Sequence, residues 1–397
     1  MKFQERLVNK SLQRLLLVLA AGLLSLLSAC SLPQVSAQQR TFLNLSLEFL
    51  GQYQLPKQKF QGTPVGGLSA LAYDRRIDRF YALSDDQSVF APARFYTLKL
   101  SLGNTGIQNV QVEKVTFLKG QDGQPFPKYT IDPEGIALSP QRTVFISSEG
   151  VARNSVPPSV GEFDLQTGRL RQKFAIPQRY IPDANGDKQQ RGVPENLGFE
   201  ALTLNPTGST PASGEPIRLF TATESALVQD RDPVQLDDRG NPKLQPIKCR
   251  LLHYLVSDRA PIPISEHLYQ LSPPPPGAQF HGLVELLAID QGGHFLSVER
   301  SFGIFGNDIR IFQIATGAAT DTSRIVTLKG ELRAIDPIKK KLLLDLKELG
   351  ISLDNIEGIT FGPRFPDGSQ SLILVSDDNF NEKQVTQFLL FRLKGGR

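Results

Sequence analysis

One pattern recurs five times along the chain: a short apolar segment opening on an acidic or small polar residue, a turn, and a second apolar segment closing on an acidic residue. The copies pair Ser69–Asp74 with Phe80–Asp86, Glu134–Ser139 with Val144–Glu149, and Glu200–Asn205 with Leu219–Glu224. Glu285–Asp290 pairs with Phe295–Glu299, and Glu357–Gly362 with Leu372–Asp378. Each pair is followed by a further β-rich segment, such as Arg94–Leu100, Val160–Leu165, Leu251–Val256, Ile309–Ile314 and Gln387–Leu393, and often by a fourth. Four short strands per unit, punctuated by Gly, Pro, Asn and Asp, are what a propeller blade requires. A unit of that size cannot bury its own apolar faces and must stack on copies of itself.

The pattern therefore predicts an all-β chain folded as a β-propeller, with five blades counted and a sixth if the region between Phe302 and Asn355 hides one. Helical periodicity is nearly absent, and Lys339–Leu349 is the one ambiguous stretch. The last copy lacks a fourth strand, while a strand-like segment, Phe42–Tyr53, precedes the first copy. The N-terminal strand is thus expected to complete the last blade, which removes an open sheet edge. Asn205–Pro216, Gln229–Pro246 and the polyproline run Ser272–Gly277 read as loops between strands, not domain boundaries.

The first 29 residues have a different character. Lys2, Arg6, Lys10 and Arg14 precede an apolar run from Leu15 to Leu27, which ends at Leu27-Ser28-Ala29-Cys30. A charged start, a short apolar run and small residues before a cleavage point make an export signal, and the run is too short for a spanning helix. Leu-Ser-Ala-Cys resembles the bacterial lipobox, which implies lipidation of Cys30. The expected organisation is a signal over 1–29, a lipidated Cys30 and tether over 30–41, and the propeller domain over 42–397. The expected location is outside the cytoplasm, held by the lipid to the cell membrane or outer membrane and facing the periplasm or exterior.

The signal also explains the charge. Of the formal +4, the four basic residues of segment 1–29 less Glu5 supply +3, leaving +1 for the rest. That balance excludes a nucleic-acid footprint. Beyond Cys30 only Cys249 remains, so no internal disulfide can form. The expected partners are a small-molecule ester or phosphoester and, through the lipid, a membrane; the domain is expected as a monomer.

In a propeller the first strand of each blade lines the channel, which would gather Glu134, Glu200, Glu285 and Glu357 around one axis. Like charges that close cannot all stay ionised in a poor dielectric without cations between them. Calcium, which accepts six to eight oxygen ligands in loose geometry, is the natural neutraliser. Asp85, Glu149, Glu299, Asp377 and Asp378, which close second strands together with Asp86 and Glu224, extend the candidate ligand set around one mouth. Asp377 or Asp378 would orient water. The competing role for any of these acids is to hold turns and backbone amides, and Arg300 or Arg153 could neutralise some of them by ion pairing.

Other chemistries lack their residues. Gly67-Leu-Ser69-Ala-Leu71 approaches a nucleophile elbow but lacks the closing Gly and its helix. The histidines at 253, 267, 281 and 294 have no zinc-ligand spacing. Asp183–Asp187 alternates oxygen ligands like a calcium loop but lacks the Gly and Glu that complete one.

Several blocks in order also resemble the phytase-like family, known for esterase-like activity of phytase, over roughly residues 45–394. They are Gly66–Asp74 with Arg79–Asp86, Asp132-Pro-Glu-Gly-Ile-Ala137, Asn196–Leu202, Asp354–Ile359 and Ser376–Phe380. The resemblance implies a β-propeller and hydrolysis of phosphate or carboxylate esters, with calcium as the assisting metal in the more distant propeller phytases. The alternative is a non-catalytic, calcium-stabilised propeller that binds a ligand or partner protein.

Overall fold

A computed structural model describes residues 41–103, 105–184, 186–205, 216–233, 245–257 and 259–395. The expected signal over 1–29 and Cys30 with nearly all of its tether lie outside the described residues. From Asn44 onward the chain is one compact unit.

Its strands fall into five four-stranded antiparallel sheets plus one hairpin. Strand β1 (Leu45–Leu55) is followed by the hairpin β2 (Gln58–Phe60) and β3 (Thr63–Val65). Blade 1 comprises β4 (Leu68–Asp74), β5 (Arg79–Ser84), β6 (Arg94–Gly103) and β7 (Gly106–Phe117). Blade 2 comprises β8 (Pro133–Leu138), β9 (Thr143–Ser148), β10 (Ser159–Asp164) and β11 (Leu170–Lys173). Blade 3 comprises β12 (Phe199–Leu204), β13 (Ile217–Thr223), β14 (Lys248–Val256) and β15 (Ile262–Gln270). Blade 4 comprises β16 (Ala278–Ala288), β17 (His294–Gly303), β18 (Gly306–Ala315) and β19 (Lys339–Asp345). Blade 5 comprises β20 (Asn355–Arg364), β21 (Gln370–Asp377) and β22 (Thr386–Gly395), and β1 is its fourth strand.

All five expected copies are the first two strands of a blade, and the ring has five blades. The region between Phe302 and Asn355 holds the rest of blade 4 and no sixth sheet. Lys339–Leu349, ambiguous from sequence, is β19 followed by a turn of 3₁₀ helix. Leu45 pairs with Gly395 and Leu55 with Thr386, so the expected closure by the N-terminal strand is present.

The inner strands β4, β8, β12, β16 and β20 each pack against the inner strands of both neighbouring blades, which closes the ring. The core is correspondingly divided among the gaps between blades. Phe80, Tyr96, Ile373 and Phe388 fill the gap between blades 5 and 1; Phe145, Phe174, Phe199 and Tyr254 fill that between blades 2 and 3. A middle strand has an apolar neighbour on both faces, which is why runs such as Leu372–Val375 are continuously apolar and wholly buried.

Candidate metal centre

Inner strands start, and second strands end, at one face of the ring. At that end each inner strand carries a β-bulge, where pairing skips a residue: Ser69, one of Glu134–Gly135, Glu200, Val284 and Glu357. A bulge re-aims the side chain it frees. Ladder positions then align the second-strand ends as Asp85, Glu149, Glu224, Arg300 and Asp377, four acids and one base.

Blade 4 departs from the pattern read in the sequence by one residue. Leu283 pairs with Glu299 and Glu285 with Val298, so Val284 takes the bulge and Arg300 the strand-end position. Glu285 is turned to the neighbouring backbone, where its Oε1 accepts from Leu202 N at 3.0 Å and Leu286 N at 2.9 Å. Glu299 accepts from Tyr269 Oη at 2.7 Å, Ser272 N at 3.1 Å and Lys340 Nζ at 2.5 Å. Neither belongs to a carboxylate triad. The structure gives both the amide-holding and ion-pairing work that competes with metal ligation.

Among the described residues two carboxylate triads stand together, Asp132–Glu134–Glu149 and Glu149–Glu200–Glu224. In each, one oxygen per residue lies within 4.8 Å of the others, and all five side chains are buried. Glu149 belongs to both. Asp132, which precedes Pro133 at the start of β8, is a member that the repeat did not single out; its signal was the Asp-Pro-Glu spacing of the second copy. Glu357, Asp85 and Asp377 extend the acidic zone across blades 5 and 1, where the charges of Asp377 and Glu357 act on Asp85.

Burial raises all of these carboxyls above their ordinary range; mutual charge adds to it for most, while Arg300 offsets part of it at Glu224. Glu134 is raised first by burial and then by Glu200, Asp132 and Asp85. Burial, then Glu149 and Glu224, raise Glu200. Glu149 and Asp377 are raised by burial and by their acidic neighbours. Asp132 rises to about 7 and Glu357 to about 7, in both cases chiefly through burial.

Among the described residues the base bound within the zone is Arg300, whose Nη1 donates to Glu357 Oε1 at 2.9 Å and whose Nη2 donates to Glu224 Oε1 at 3.2 Å. It also donates to Asn355 Oδ1. Gly282, opposite Arg300 in the ladder, leaves room for Glu224, whose carboxyl occupies the space a Cβ would need. Arg153 pairs with Glu195 at the surface instead.

The other sequence candidates do structural work. Asp378 accepts from Gly67 N at 2.9 Å and Phe380 N at 3.2 Å, which ties blade 5 to blade 1. Asp86 accepts the amides of Val89 and Ala91 at 2.6 and 2.9 Å and pairs with wholly buried Arg94 at 2.7 Å. Among the described residues Asp377 accepts from Asn379 N alone, at 2.7 Å.

Glu134 is 8 % exposed, and its carboxylate has no hydrogen-bond or ion-pair partner among the described residues. A buried carboxylate left unanswered is costly, and cations or protons must supply what the protein does not. An all-oxygen, all-carboxylate donor set suits hard cations such as Ca²⁺, Mg²⁺ or Mn²⁺ over Zn²⁺ or Cu²⁺.

Among solved structures, the chain is similar to the endo-arabinase from Bacteroides thetaiotaomicron, at 10% identity and TM-score 0.41, over 82% of this chain and 93% of that one. It is similar to a glucose dehydrogenase at 13% identity and TM-score 0.33, over 88% and 100%. The Dos1 propeller matches at 10% identity and TM-score 0.32, over 83% and 68%. No curated protein matches the chain significantly. The sequence model of the phytase-like family, described as esterase-like activity of phytase, matches residues 63–380, from β3 past the end of β21, and the chain belongs to that family.

Proposed function

We propose that the acidic mouth binds hard divalent cations, calcium foremost, and that the protein is a metal-assisted hydrolase of phosphate or carboxylate esters. The observation that carries this reading is buried, unpartnered Glu134 in the first of two triads that share Glu149. Asp132, Glu134 and Glu149 would hold one cation, and Glu149, Glu200 and Glu224 a second. Bound there, such ions would polarise an ester or phosphoryl oxygen and lower the pKa of a water. Family membership supports the ester chemistry.

The chain's own residues have separate parts in this reading. Arg300 neutralises Glu224 and Glu357 and holds them apart. Asp377, with one amide donor and a carboxyl raised by burial and by Glu357, is placed to orient a water at the mouth. Asp378, spent on Gly67 and Phe380, positions that strand end. Export and attachment to the envelope through Cys30 complete the proposal, supported by the sequence of residues 2–30.

The test is hydrolysis of a phosphomonoester, phytate and a short-chain carboxyl ester, with calcium and with chelator. Calcium-dependent turnover supports the proposal. Turnover untouched by chelator overturns the metal's part. Calcium-dependent melting with no turnover of any ester would instead favour the non-catalytic, calcium-stabilised propeller.

A further inference from the structure

All four exposed phenylalanines among the described residues stand at the acidic end of the ring: Phe90, Phe280, Phe302 and Phe305, from 45 to 77% exposed. Apolar side chains scattered singly on a surface need no explanation, but several gathered around one concave site do. In the β16–β17 ladder Gly282 lies opposite Arg300 and Phe280 opposite Phe302. Positions two apart share a face, so the face that delivers Arg300 to the carboxylates continues outward as Phe302 and Phe280. Across the mouth, Phe380 packs against Phe90 with centroids 4.6 Å apart and ring planes tilted by 34°. Both the Phe380 ring and the Asp85 carboxyl occupy the space beside Gly67 that a Cβ would need, so this aromatic pair borders the acidic zone directly.

These rings are held in place. Asp86 gathers the amides of the Phe90 loop, and Phe380 sits in the left-handed backbone region at φ 51°, where a bulky residue is strained and where strain commonly marks a binding site. Among the described residues, the basic groups nearest the carboxylates are already answered by acids: Arg300 by Glu224 and Glu357, Arg153 by Glu195, Lys57 by Asp378 and Arg310 by Asp308; Lys128 and Lys383 are exposed on the outer loops. A polyanion such as inositol hexakisphosphate needs several bases free to grip its phosphates. An amphiphile needs one head-group site and an apolar wall, and both are present.

We propose that the substrate of this mouth is an amphiphilic ester, its phosphate or ester head at the carboxylates and its alkyl or acyl chain along the Phe280–Phe302 face. This rests on the hydrolase reading above and names the substrate class for it. Burying successive methylenes on such a face raises affinity by about two- to fourfold each.

The test is calorimetric binding of n-alkyl phosphonates of increasing chain length to the full-length chain with calcium, beside hydrolysis of the matching esters. Affinity is expected to climb by that factor per carbon and then level off. Phe280→Ser with Phe302→Ser should flatten the climb and leave ethylphosphonate affinity unchanged, and Phe302→Leu should retain most of it. A flat series in the native chain, a climb unaffected by the double substitution, or inositol hexakisphosphate binding more tightly than the longest phosphonate would overturn the proposal while ester turnover kept the hydrolase reading intact. Self-association abolished by the same substitutions, with a flat series, would give the face to a second copy and overturn it equally. Normal binding without any turnover would remove the hydrolase reading and leave an amphiphile-binding mouth.

Discussion

Arg300 of blade 4 donates to Glu357 of blade 5 at 2.9 Å, at the ladder position where every other blade presents an acid. Its guanidinium thus stands where a cation between blades 3 and 5 would stand. Removing one partner of a buried pair leaves the other charge uncompensated, at a cost of about 3–5 kcal/mol. Arg300→Gln should lower the melting temperature sharply in chelator, with calcium restoring part of the loss. Arg300→Asp, which completes the ring of acids, should raise the number of calcium ions bound at equilibrium dialysis. An unchanged ion count and a calcium-independent melting loss would mean that the guanidinium does not substitute for a metal.

Glu149 and Glu285 should behave oppositely. Glu149→Gln removes a ligand common to both triads and is expected to weaken calcium binding at least tenfold at both positions, since metal affinity depends on the charged ligand set. Glu285→Leu strips an acceptor from the buried amides of Leu202 and Leu286, so it should cost about 1–3 kcal/mol of stability while calcium affinity stays put. Isothermal titration alongside denaturant melts separates the two.

The pH dependence follows from the raised carboxyls. Asp132 and Glu357 titrate near about 7 in the folded chain, both chiefly because of burial, whereas unfolded carboxyls titrate near about 4. The folded state therefore binds protons more tightly, unfolding releases them, and stability falls as pH climbs from about 4 to about 7, by on the order of 3 kcal/mol per group. In chelator the melting temperature should be lower at pH 8 than at pH 5. Calcium competes for the same oxygens, so its stabilisation should be larger at pH 8. Melting that rises with pH in chelator would contradict the burial argument.

Asp378 is expected to matter for ring closure alone. Asp378→Ala leaves the buried amide of Gly67 without its acceptor and should cost about 1–3 kcal/mol. The calcium affinity of the remaining fold should not change. A loss of calcium affinity larger than that of Glu149→Gln would assign it a direct part in the mouth.

The sequence disclosed the fold more fully than the site because the two depend on different properties. Blades announce themselves through apolar runs of strand length separated by turn residues, and all five first-and-second-strand pairs were legible, as was closure by the first strand. The site depends on where pairing skips a residue. In copy four the run Leu283-Val-Glu-Leu-Leu-Ala-Ile289 offers no polar marker for the bulge, so acid aligned with acid placed Glu285 and Glu299 one residue out. A single-residue slip reverses which face a side chain takes, and it put Arg300 where Glu299 had been expected. The triads gather Glu134, Glu149 and Glu200, all named from the repeat, while Asp132 comes from the connection into blade 2, which the repeat did not cover.

Blade 5 has a consequence in time. Its outer strand is made before every other strand of the ring and its other three after every other blade, since Leu45 pairs with Gly395. Until β22 appears, β1 has no ladder to join, and until β20 and β21 appear the mouth has neither Glu357 nor Asp377. Loop-closure entropy for so distant a pairing is met in one late step. A chain broken off before β20 therefore yields four blades, an unpaired β1 and an acidic mouth without Glu357 and Asp377, so the arrival of the last blade both closes the ring and completes the site.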